Sequence, residues 1–447
     1  MSWHPLFQRA ATRAKSFRRD RGGQVAVIFG LAILPLMGFV GTAVDYARAT
    51  NTLASLNAAA DAAALNAVAK GRTTHSAPDT ATIQNFFMGS AALNPGVTIS
   101  NFNVTSSNSA TTLYVQIDYK ANVPTTFMNI FGYTTMTMTG TAKAATDLPP
   151  FVDFQILMDN SPSMGVAGST ADIARMQSLT PDGCAFACHK KNADGSENSN
   201  DYYHVAKNAN PPITLRIDLL RQAVQNLMDT AAGATLIPNQ FRMGLYTFSD
   251  TFQTVAPISP SLSTLKGQAG AIDLAYAYQD ENDMQTSYDK ALPTMNGLID
   301  TPGNGMTAGA PQKFLFLVTD GVQDERTTLC QSSPSGATGK CNSPTGMGGR
   351  LINTLNPALC KTIKDRGIKI ALLYTPYLPL PTNWYYNNNV ANLDNNNTAT
   401  SAFPGIVPAL TACASPGFFF QISGTQSIDQ AMQAMFQTAV KYARLVN

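Results

Sequence analysis

The sequence is poor in charge. Lysine, arginine, aspartate and glutamate together make up 13% of its 447 residues, against roughly 25% in an average soluble protein. Asn, Ser, Thr and Gln supply the polarity instead. Six basic residues stand among the first 21, and the remaining chain holds 24 basic and 27 acidic residues. No basic stripe with interleaved aromatic residues follows, so a nucleic-acid-binding role is not expected.

Cysteine is absent from the first 183 residues. The six cysteines that follow are Cys184, Cys188, Cys330, Cys341, Cys360 and Cys413. Their even number favours disulfides formed in an oxidising compartment, and the alternative is a set of buried thiols in a cytosolic protein. Many connectivities are compatible with six cysteines, so the sequence does not give the pairing.

One long apolar run dominates the N-terminal part. From Val25 to Val44 the chain has 20 residues without a charge, enough for a helix to cross a hydrocarbon core of about 30 Å. The basic residues before this run and Asp45 after it predict a cytoplasmic N terminus, because positive residues stay on the cytoplasmic side. A signal peptide cleaved near Ala49 is the alternative. The C-terminal bulk is therefore expected to be exported.

The segment after the apolar run is predicted to continue as a helix. Residues 47–70 are rich in Ala and Leu and contain no proline, so the helix should end at Lys70, before Gly71. Residues 96–145 then alternate apolar with polar side chains and are rich in Thr and Val, which predicts three antiparallel strands. The Ala-rich helix face packs either on these strands or on a second copy of the chain.

The remainder of the chain has a different pattern. A Leu-Pro-Pro sequence at 148–150 is the predicted linker, and beyond it apolar strand-like runs alternate with helical stretches. This alternation predicts an α/β fold with a doubly wound, mostly parallel sheet. The expected organisation is a basic cytoplasmic tail (1–23), a transmembrane helix (24–46), a pilin-like helix and β region (47–148) and the α/β domain (151–447).

Polar residues follow two of the predicted buried strands. Asp159, Ser161 and Ser163 form a D-x-S-x-S loop after the run FQILM, and Asp320 follows FLFLV. Ligands of doubly wound sheets bind beyond the carboxyl ends of the strands, and carboxylate and hydroxyl oxygens suit Mg²⁺. The sequence therefore predicts a divalent-cation site with Mg²⁺ bound, and Mn²⁺ and Ca²⁺ are the alternatives. A coordination position left open can accept a partner's carboxylate.

Two parts of the chain resemble known families. The sequence RGGQ at 21–24, the apolar run, Asp45 and the Ala-rich helix resemble the N-terminal region of the TadE and TadG proteins, components of the bacterial tight-adherence (Flp-type) pilus system. The D-x-S-x-S loop and the Thr-Asp-Gly sequence at Asp320 resemble the metal-ion-dependent adhesion site of von Willebrand factor A domains. That resemblance implies a further Thr ligand, which Thr286 matches, with Thr307 as the alternative.

The resemblance also implies an insertion, because the gap from Ser163 to Thr286 is long for that family, and a second irregular stretch follows Asp320. The first, at about 165–212, contains a C-x-x-x-C-H run at 184–189. Covalent haem attachment uses C-x-x-C-H, so a disulfide-closed loop is preferred here. The second, at 331–349, is rich in Ser, Gly and Pro and is bracketed by Cys330 and Cys341, which form a further candidate disulfide.

These features predict a non-enzymatic, single-pass protein of the bacterial inner membrane with its bulk in the periplasm. It is expected to act in tight-adherence pilus assembly and to hold a protein of the pilus machinery or cell envelope through the metal. A surface or pilus-associated adhesin is the alternative, and self-association through the Ala-rich helix is a further expectation. Catalysis is not expected, because no Ser or Cys nucleophile stands in a motif linked to a base.

Overall fold

The computed structural model describes residues 22–91, 95–109, 112–277, 286–326, 340–342, 350–394, 405–422 and 427–445. The chain divides into two units, Met1–Leu148 and Pro149–Asn447. Each unit has a hydrophobic core of its own.

The first unit begins with a 53-residue helix, α1 (Gly22–Thr74), which is about 80 Å long at 1.5 Å per residue. Its apolar part has a mean hydropathy of 2.3 and is long enough to cross a membrane. The predicted end at Lys70 is wrong, because the helix continues through Gly71. A Cβ atom at Gly71 would collide with the side chain of Leu113. The glycine therefore allows close packing on the sheet and does not end the helix.

A three-stranded antiparallel sheet follows, in the order β1-β2-β3, as the alternation predicts. Its strands are β1 (Thr98–Ser109), β2 (Thr112–Pro124) and β3 (Thr135–Asp147). Alternate residues of β2, including Val115 and Ile117, are buried in one cluster with Ala60 and Ala64 of α1. The Ala-rich face of the helix thus covers the chain's own sheet.

Two polar contacts shape this unit, and both involve aspartates. A second helix, α2 (Thr80–Ser90), was not predicted, and the Asp79 carboxylate caps it by accepting the Thr82 N–H at 2.8 Å. The Asp45 carboxylate on α1 accepts three backbone N–H groups of the β2–β3 turn, at residues 126–128, over 2.8–2.9 Å. Asp45 therefore fastens the turn to the long helix.

The second unit is an α/β domain. Its strands are β4 (Val152–Asp159), β5 (Phe241–Phe248), β6 (Phe252–Ser259), β7 (Gln312–Thr319), β8 (Val322–Arg326), β9 (Lys340–Asn342), β10 (Arg350–Thr354), β11 (Lys369–Tyr374) and β12 (Phe419–Gln421). Six of them form a sheet in the order β12-β11-β7-β4-β5-β6, in which only the β5–β6 pair is antiparallel. The predicted doubly wound, mostly parallel sheet is confirmed. Strands β8, β10 and β9 form a small antiparallel sheet, which was not predicted.

Helices flank these strands along the chain. They are α3 (Thr170–Leu179), α4 (Tyr202–Asn208), α5 (Arg216–Ala234), α6 (Leu262–Ala269), α7 (Tyr288–Leu298), α8 (Pro357–Lys364), α9 (Ala391–Asp394), α10 (Ile406–Cys413) and α11 (Ile428–Leu445). Helix α5 buries Leu220, Val224 and Leu227, whose spacing of three to four residues puts them on one face. The other elements are a 3₁₀ turn at Pro162–Gly165 and a π-helical turn at Tyr386–Val390.

The strand order reverses between β4 and β7. From β4 the chain adds β5 and β6 on one side of the sheet, and then β7, β11 and β12 on the other. All eight residues of β4 are buried, because helices cover both faces of such a sheet. A crevice at the carboxyl ends of β4 and β7 is the expected ligand position for this topology.

The cysteines are only partly as predicted. Cys360 on α8 and Cys413 on α10 form a disulfide. The predicted Cys184–Cys188 disulfide is wrong, since both thiols are free. Phe186, midway between them, pairs with Val166 in an antiparallel bridge, which keeps this backbone extended where a disulfide over so short a spacing requires a turn. Of the predicted Cys330–Cys341 pair, Cys330 lies outside the described residues, so this pairing stays a prediction.

Candidate divalent-cation site

The D-x-S-x-S loop forms a compact group of oxygens at the end of β4. Asp159 and Ser161 are completely buried and Ser163 nearly so. The Asp159 Oδ1 atom accepts the Ser161 N–H at 3.0 Å and the Ser161 hydroxyl at 2.6 Å. The Ser161 and Ser163 hydroxyl oxygens lie 2.7 Å apart. One carboxylate and two hydroxyls are thus brought together, as the sequence predicts.

The Asp159 carboxyl has no cationic partner among the described residues. Its second oxygen, Oδ2, accepts the hydroxyl of Thr319 at 2.8 Å, so neutral donors are the hydrogen-bond partners of both oxygens. Burial and the nearby carboxylate of Asp320 raise the pKa of Asp159 to about 7. A buried carboxylate beside a second carboxylate is an unfavourable place for negative charge and a favourable one for a cation.

Asp320 follows β7 and is also completely buried. Its Oδ2 atom accepts the hydroxyl of Tyr377 at 2.8 Å and lies 3.8 Å from a guanidinium nitrogen of Arg216. The same guanidinium donates to the backbone oxygen and hydroxyl of Thr375 and stacks on the Tyr377 ring, 4.9 Å from its centroid. Arg216 and Tyr377 therefore fix the Asp320 carboxylate.

Thr286 reaches the same edge of the sheet through its backbone. It forms a bridge with Asp324, in which each residue's N–H donates to the other's carbonyl at 2.9 and 3.0 Å. The next residue, Ser287, donates its N–H to the carbonyl of Ser249, directly after β5. Both Thr286 and Ser287 are buried. The segment is thus tied to strand β8 and to the residue that follows the carboxyl end of β5.

Thr307, the alternative to Thr286, lies at the other end of the sheet. Its neighbour Gly305 accepts the backbone N–H of Phe151, and Phe151 accepts that of Gln312, the first residue of β7. Both contacts are at the amino ends of β4 and β7, and Thr307 is exposed. The structure therefore brings Asp159, Ser161, Ser163 and Asp320 together, places the backbone of Thr286 at the same edge of the sheet, and places Thr307 at the opposite end.

Four residues that hold the site were not predicted from the sequence. The Thr319 hydroxyl donates a hydrogen bond to Asp159, and its oxygen lies 2.5 Å from the hydroxyl oxygen of Tyr288. Arg216 and Tyr377 fix Asp320, as described above. Tyr377 follows β11, so the rule that polar residues after buried strands form the site would have found it. Arg216 is the first residue of α5 and does not follow a buried strand, so the same rule does not find it.

The donor set fits a small, hard divalent cation. Neighbouring oxygens of a Mg²⁺ octahedron lie about 3 Å apart at bonds of about 2.1 Å, and the Asp159, Ser161 and Ser163 oxygens are spaced by 2.6–2.7 Å. The buried Ser287 hydroxyl has no hydrogen-bond partner among the described residues. Buried polar atoms are normally satisfied. The arrangement thus supplies oxygen ligands, uncompensated negative charge and one buried hydroxyl without a partner.

The family model that matches this chain covers part of the first unit. Residues 23–70 match the model of a family described as putative Flp pilus-assembly TadE/G-like. The N-terminal helix is TadE/G-like. The matched residues lie within α1 and include the whole apolar run, as the sequence resemblance predicts. A search of curated proteins found no match.

Solved structures with low sequence identity align with larger parts of the chain. The protein BatB of Bacteroides thetaiotaomicron is 12% identical, with 65% of this chain and 99% of that chain covered and a TM-score of 0.32. The vWF domain of the type V pili tip protein Mfa5 of Porphyromonas gingivalis is 12% identical, with 66% and 95% covered and a TM-score of 0.33.

A mutant of the PilB minor pilin of Streptococcus sanguinis is 11% identical, with 78% and 79% covered and a TM-score of 0.35. All three TM-scores are low, so these similarities show nothing about this chain's site. The TadE/G-like helix is the feature that connects the chain with pilus assembly.

Proposed function

We propose that the protein is a membrane-anchored component of tight-adherence pilus assembly that binds a protein partner through a divalent cation at Asp159 and Asp320. The observation that carries this proposal is a pair of buried carboxylates at the strand-order reversal. One of them, Asp159, has only neutral hydrogen-bond donors around it. A bound cation would neutralise both carboxylates.

The residues would contribute two types of oxygen ligand, carboxylates and hydroxyls. Asp159 supplies a carboxylate, Ser161 and Ser163 supply hydroxyls, and Asp320 and Thr286 complete the set from neighbouring elements. These are hard oxygen ligands of the kind that Mg²⁺ prefers. When bound, the ion would supply a positive charge with a coordination position open to an acidic side chain of the partner.

The location follows from the first unit and from the cysteines. The TadE/G-like helix is apolar enough to span a membrane, and the basic residues before it favour a cytoplasmic N terminus. The Cys360–Cys413 disulfide belongs in an oxidising compartment. Both features support a second unit in the periplasm, where it would meet proteins of the pilus machinery.

Calorimetric titration of the full-length protein in detergent with Mg²⁺ at pH 8 tests the site. The wild type is expected to bind one ion at this site, and Asp159→Ala and Asp320→Ala are expected to bind none there. Asp300→Asn is the matched control, because this aspartate is 88% exposed and contacts neither carboxylate. Mg²⁺ binding that survives in Asp159→Ala would contradict the assignment.

Partner binding needs a second measurement. Envelope proteins that the immobilised protein captures in Mg²⁺ should be released by EDTA and should be missing with Asp159→Ala. Cells that carry Asp159→Ala should lose surface pili while the variant remains in the membrane at the wild-type level. Normal piliation with the metal-free variant would separate the site from pilus assembly.

A further inference from the structure

A second cluster of metal-binding side chains lies within residues 165–212, outside the site described above. His189, Asp201 and His204 have ligand atoms within 4.8 Å of one another. The Asp201 carboxylate contacts both imidazoles, His189 Nδ1 at 3.0 Å and His204 Nδ1 at 2.7 Å. A carboxylate that accepts both Nδ1–H groups leaves both Nε2 atoms as free electron-pair donors, the form in which histidine binds metals.

Both Nε2 atoms face one further carboxylate. Glu197 Oε1 lies 3.6 Å from His189 Nε2 and 3.3 Å from His204 Nε2. Around a tetrahedral Zn²⁺ with bonds of 2.0–2.2 Å, neighbouring ligand atoms are about 3.3–3.6 Å apart. The two distances therefore match the edges of a zinc tetrahedron. The Glu197 side chain is 54% exposed, so solvent can reach this point and supply a fourth ligand.

Contacts with other residues fix the His189 ring and the Asp201 carboxylate in place. The His189 ring lies between the rings of Tyr203 and Tyr276, with centroids 4.1 and 4.2 Å away and interplanar angles of 27° and 28°. Asp201 is fixed in turn, since it accepts the backbone N–H of Lys190 at 2.6 Å and that of His204 at 2.9 Å. Preorganised ligands with a supporting outer shell favour metal affinity.

We propose that His189 Nε2, His204 Nε2 and Glu197 Oε1 bind a Zn²⁺ ion, with Asp201 as the positioning residue that orients both imidazoles. Two imidazoles and a carboxylate suit Zn²⁺, whereas Mg²⁺ requires oxygen ligands. The two metal sites therefore select different ions. The zinc site is independent of the proposed function, because none of its ligands belongs to the Asp159 site.

The ion would have a structural effect near the first site. The His189 carbonyl accepts the N–H of Ala277 at 2.7 Å, and the Asn160 carbonyl accepts the N–H of Ala275 at 2.8 Å. Residues 273–277 thus join the zinc ligands to the residue after Asp159. A bound Zn²⁺ would hold residues 273–277 in place and would thereby stabilise the loop after β4 that contributes to the Mg²⁺ site.

Competition with a chromogenic chelator tests the proposal on the full-length protein in detergent. Excess Mg²⁺ is present throughout, so that the Asp159 site is filled. The wild type is expected to bind one Zn²⁺, and Co²⁺ in its place should give the visible absorption of a tetrahedral complex. Glu197→Gln and His204→Gln each remove a direct ligand, so each should weaken Zn²⁺ binding by more than the roughly 10- to 100-fold that loss of an outer-shell partner costs. Glu197 is exposed, so its variant is expected to fold.

Three controls identify the ligands. Asp159→Ala and Asp194→Asn, the latter an exposed acid of the same loop, should keep the wild-type affinity for Zn²⁺. The double variant Cys184→Ser/Cys188→Ser should keep it too. Loss of binding in the double variant would assign the ion to the thiols and overturn the proposal. Equal Zn²⁺ affinity in wild type, Glu197→Gln and His204→Gln would overturn it as well.

Discussion

Each end of strand β4 carries a buried aspartate, and the two carboxylates differ in whether a positively charged side chain contacts them. At the amino end, Asp153 lies in register between Arg242 on β5 and Lys313 on β7. Its oxygens accept hydrogen bonds from Lys313 Nζ at 2.6 Å and from two guanidinium nitrogens of Arg242 at 2.7 Å. At the carboxyl end, Asp159 is equally buried and meets hydroxyls, a backbone amide and the repulsive field of Asp320.

The difference separates a carboxylate with a structural role from one that we propose binds a cation. Asp153 is neutralised by its own chain, and a charge satisfied in this way has no need of a ligand. Asp159 is held in place by hydrogen bonds from neutral donors and has no cationic partner among the described residues. Ionisation of such a buried carboxylate is costly for stability, and a cation bound at the carboxyl edge of the sheet would offset that cost. Four predictions test this contrast.

The largest effect is expected at the amino end. Asp153→Ala leaves Lys313, which is 4% exposed, without its close carboxylate partner. Removal of one member of a buried ion pair destabilises by about 3–5 kcal/mol. Asp159→Asn in metal-free protein should leave stability unchanged or raise it. Thermal unfolding of both variants in EDTA is the measurement, and equal destabilisation by the two changes would remove the contrast.

Mg²⁺ should stabilise the second unit through the carboxyl end alone. At a free concentration of 100 times its dissociation constant, a ligand that binds only the folded state adds about 2.7 kcal/mol. The unfolding midpoint of the wild type should therefore rise with Mg²⁺. The midpoint of Asp159→Asn should not move, while Asp300→Asn should respond as the wild type does.

The pH dependence should identify Asp159. In metal-free protein its folded-state pKa of about 7 exceeds the ordinary 3.8, so the folded state holds a proton that the unfolded state has released. The contribution of this group to stability is therefore lost as the pH rises from about 4 to about 7. Mg²⁺ competes with that proton, and its affinity should fall about tenfold, or about 1.4 kcal/mol, per pH unit below about 7.

Titrations at a series of pH values measure this linkage. Above about pH 8 the Mg²⁺ affinity should be constant, because Asp159 is then ionised in both the free and the bound protein. An affinity that stays constant down to about pH 5.5 would mean that the Asp159 carboxyl is ionised throughout.

The smallest effect is expected from Tyr377→Phe. This change removes the hydroxyl that donates to Asp320 at 2.8 Å and keeps the ring on which Arg216 stacks. We expect a loss of about 1 kcal/mol in stability or in Mg²⁺ binding, the usual net value of one hydrogen bond. Tyr114→Phe, at an exposed tyrosine of the first unit, is the control. A loss as large as that of Asp159→Ala would make Tyr377 a ligand.

The sequence predicted more of the residues of the first proposed metal site than of the second. Asp159, Ser161, Ser163 and Asp320 could be found because each follows an apolar strand, and the ends of parallel strands meet at one edge. His189 and Glu197 have no such relation to a repeating element. They lie in a long loop, and the cluster forms only when α4 brings His204 back to the loop.

The errors have the same physical origin. Helix α1 passes its predicted end because Gly71 packs on Leu113, a contact with a residue 42 positions further along the chain. Cys184 and Cys188 are free thiols, and Phe186 between them pairs with Val166. Local propensity was overridden in both cases by contacts with other parts of the chain, which the sequence of the segment itself does not contain.

The sequence by itself determined the apolar anchor, the alternation of strands and helices, and the residues that end β4 and β7. These follow from local hydrophobicity and periodicity, which act on neighbours along the chain. The tertiary structure decided which carboxylates are neutralised, which threonine lies at the same edge of the sheet as Asp159, and which histidines meet. Such choices depend on register and on loop packing between residues more than 100 positions apart, as with Asp153 and Lys313.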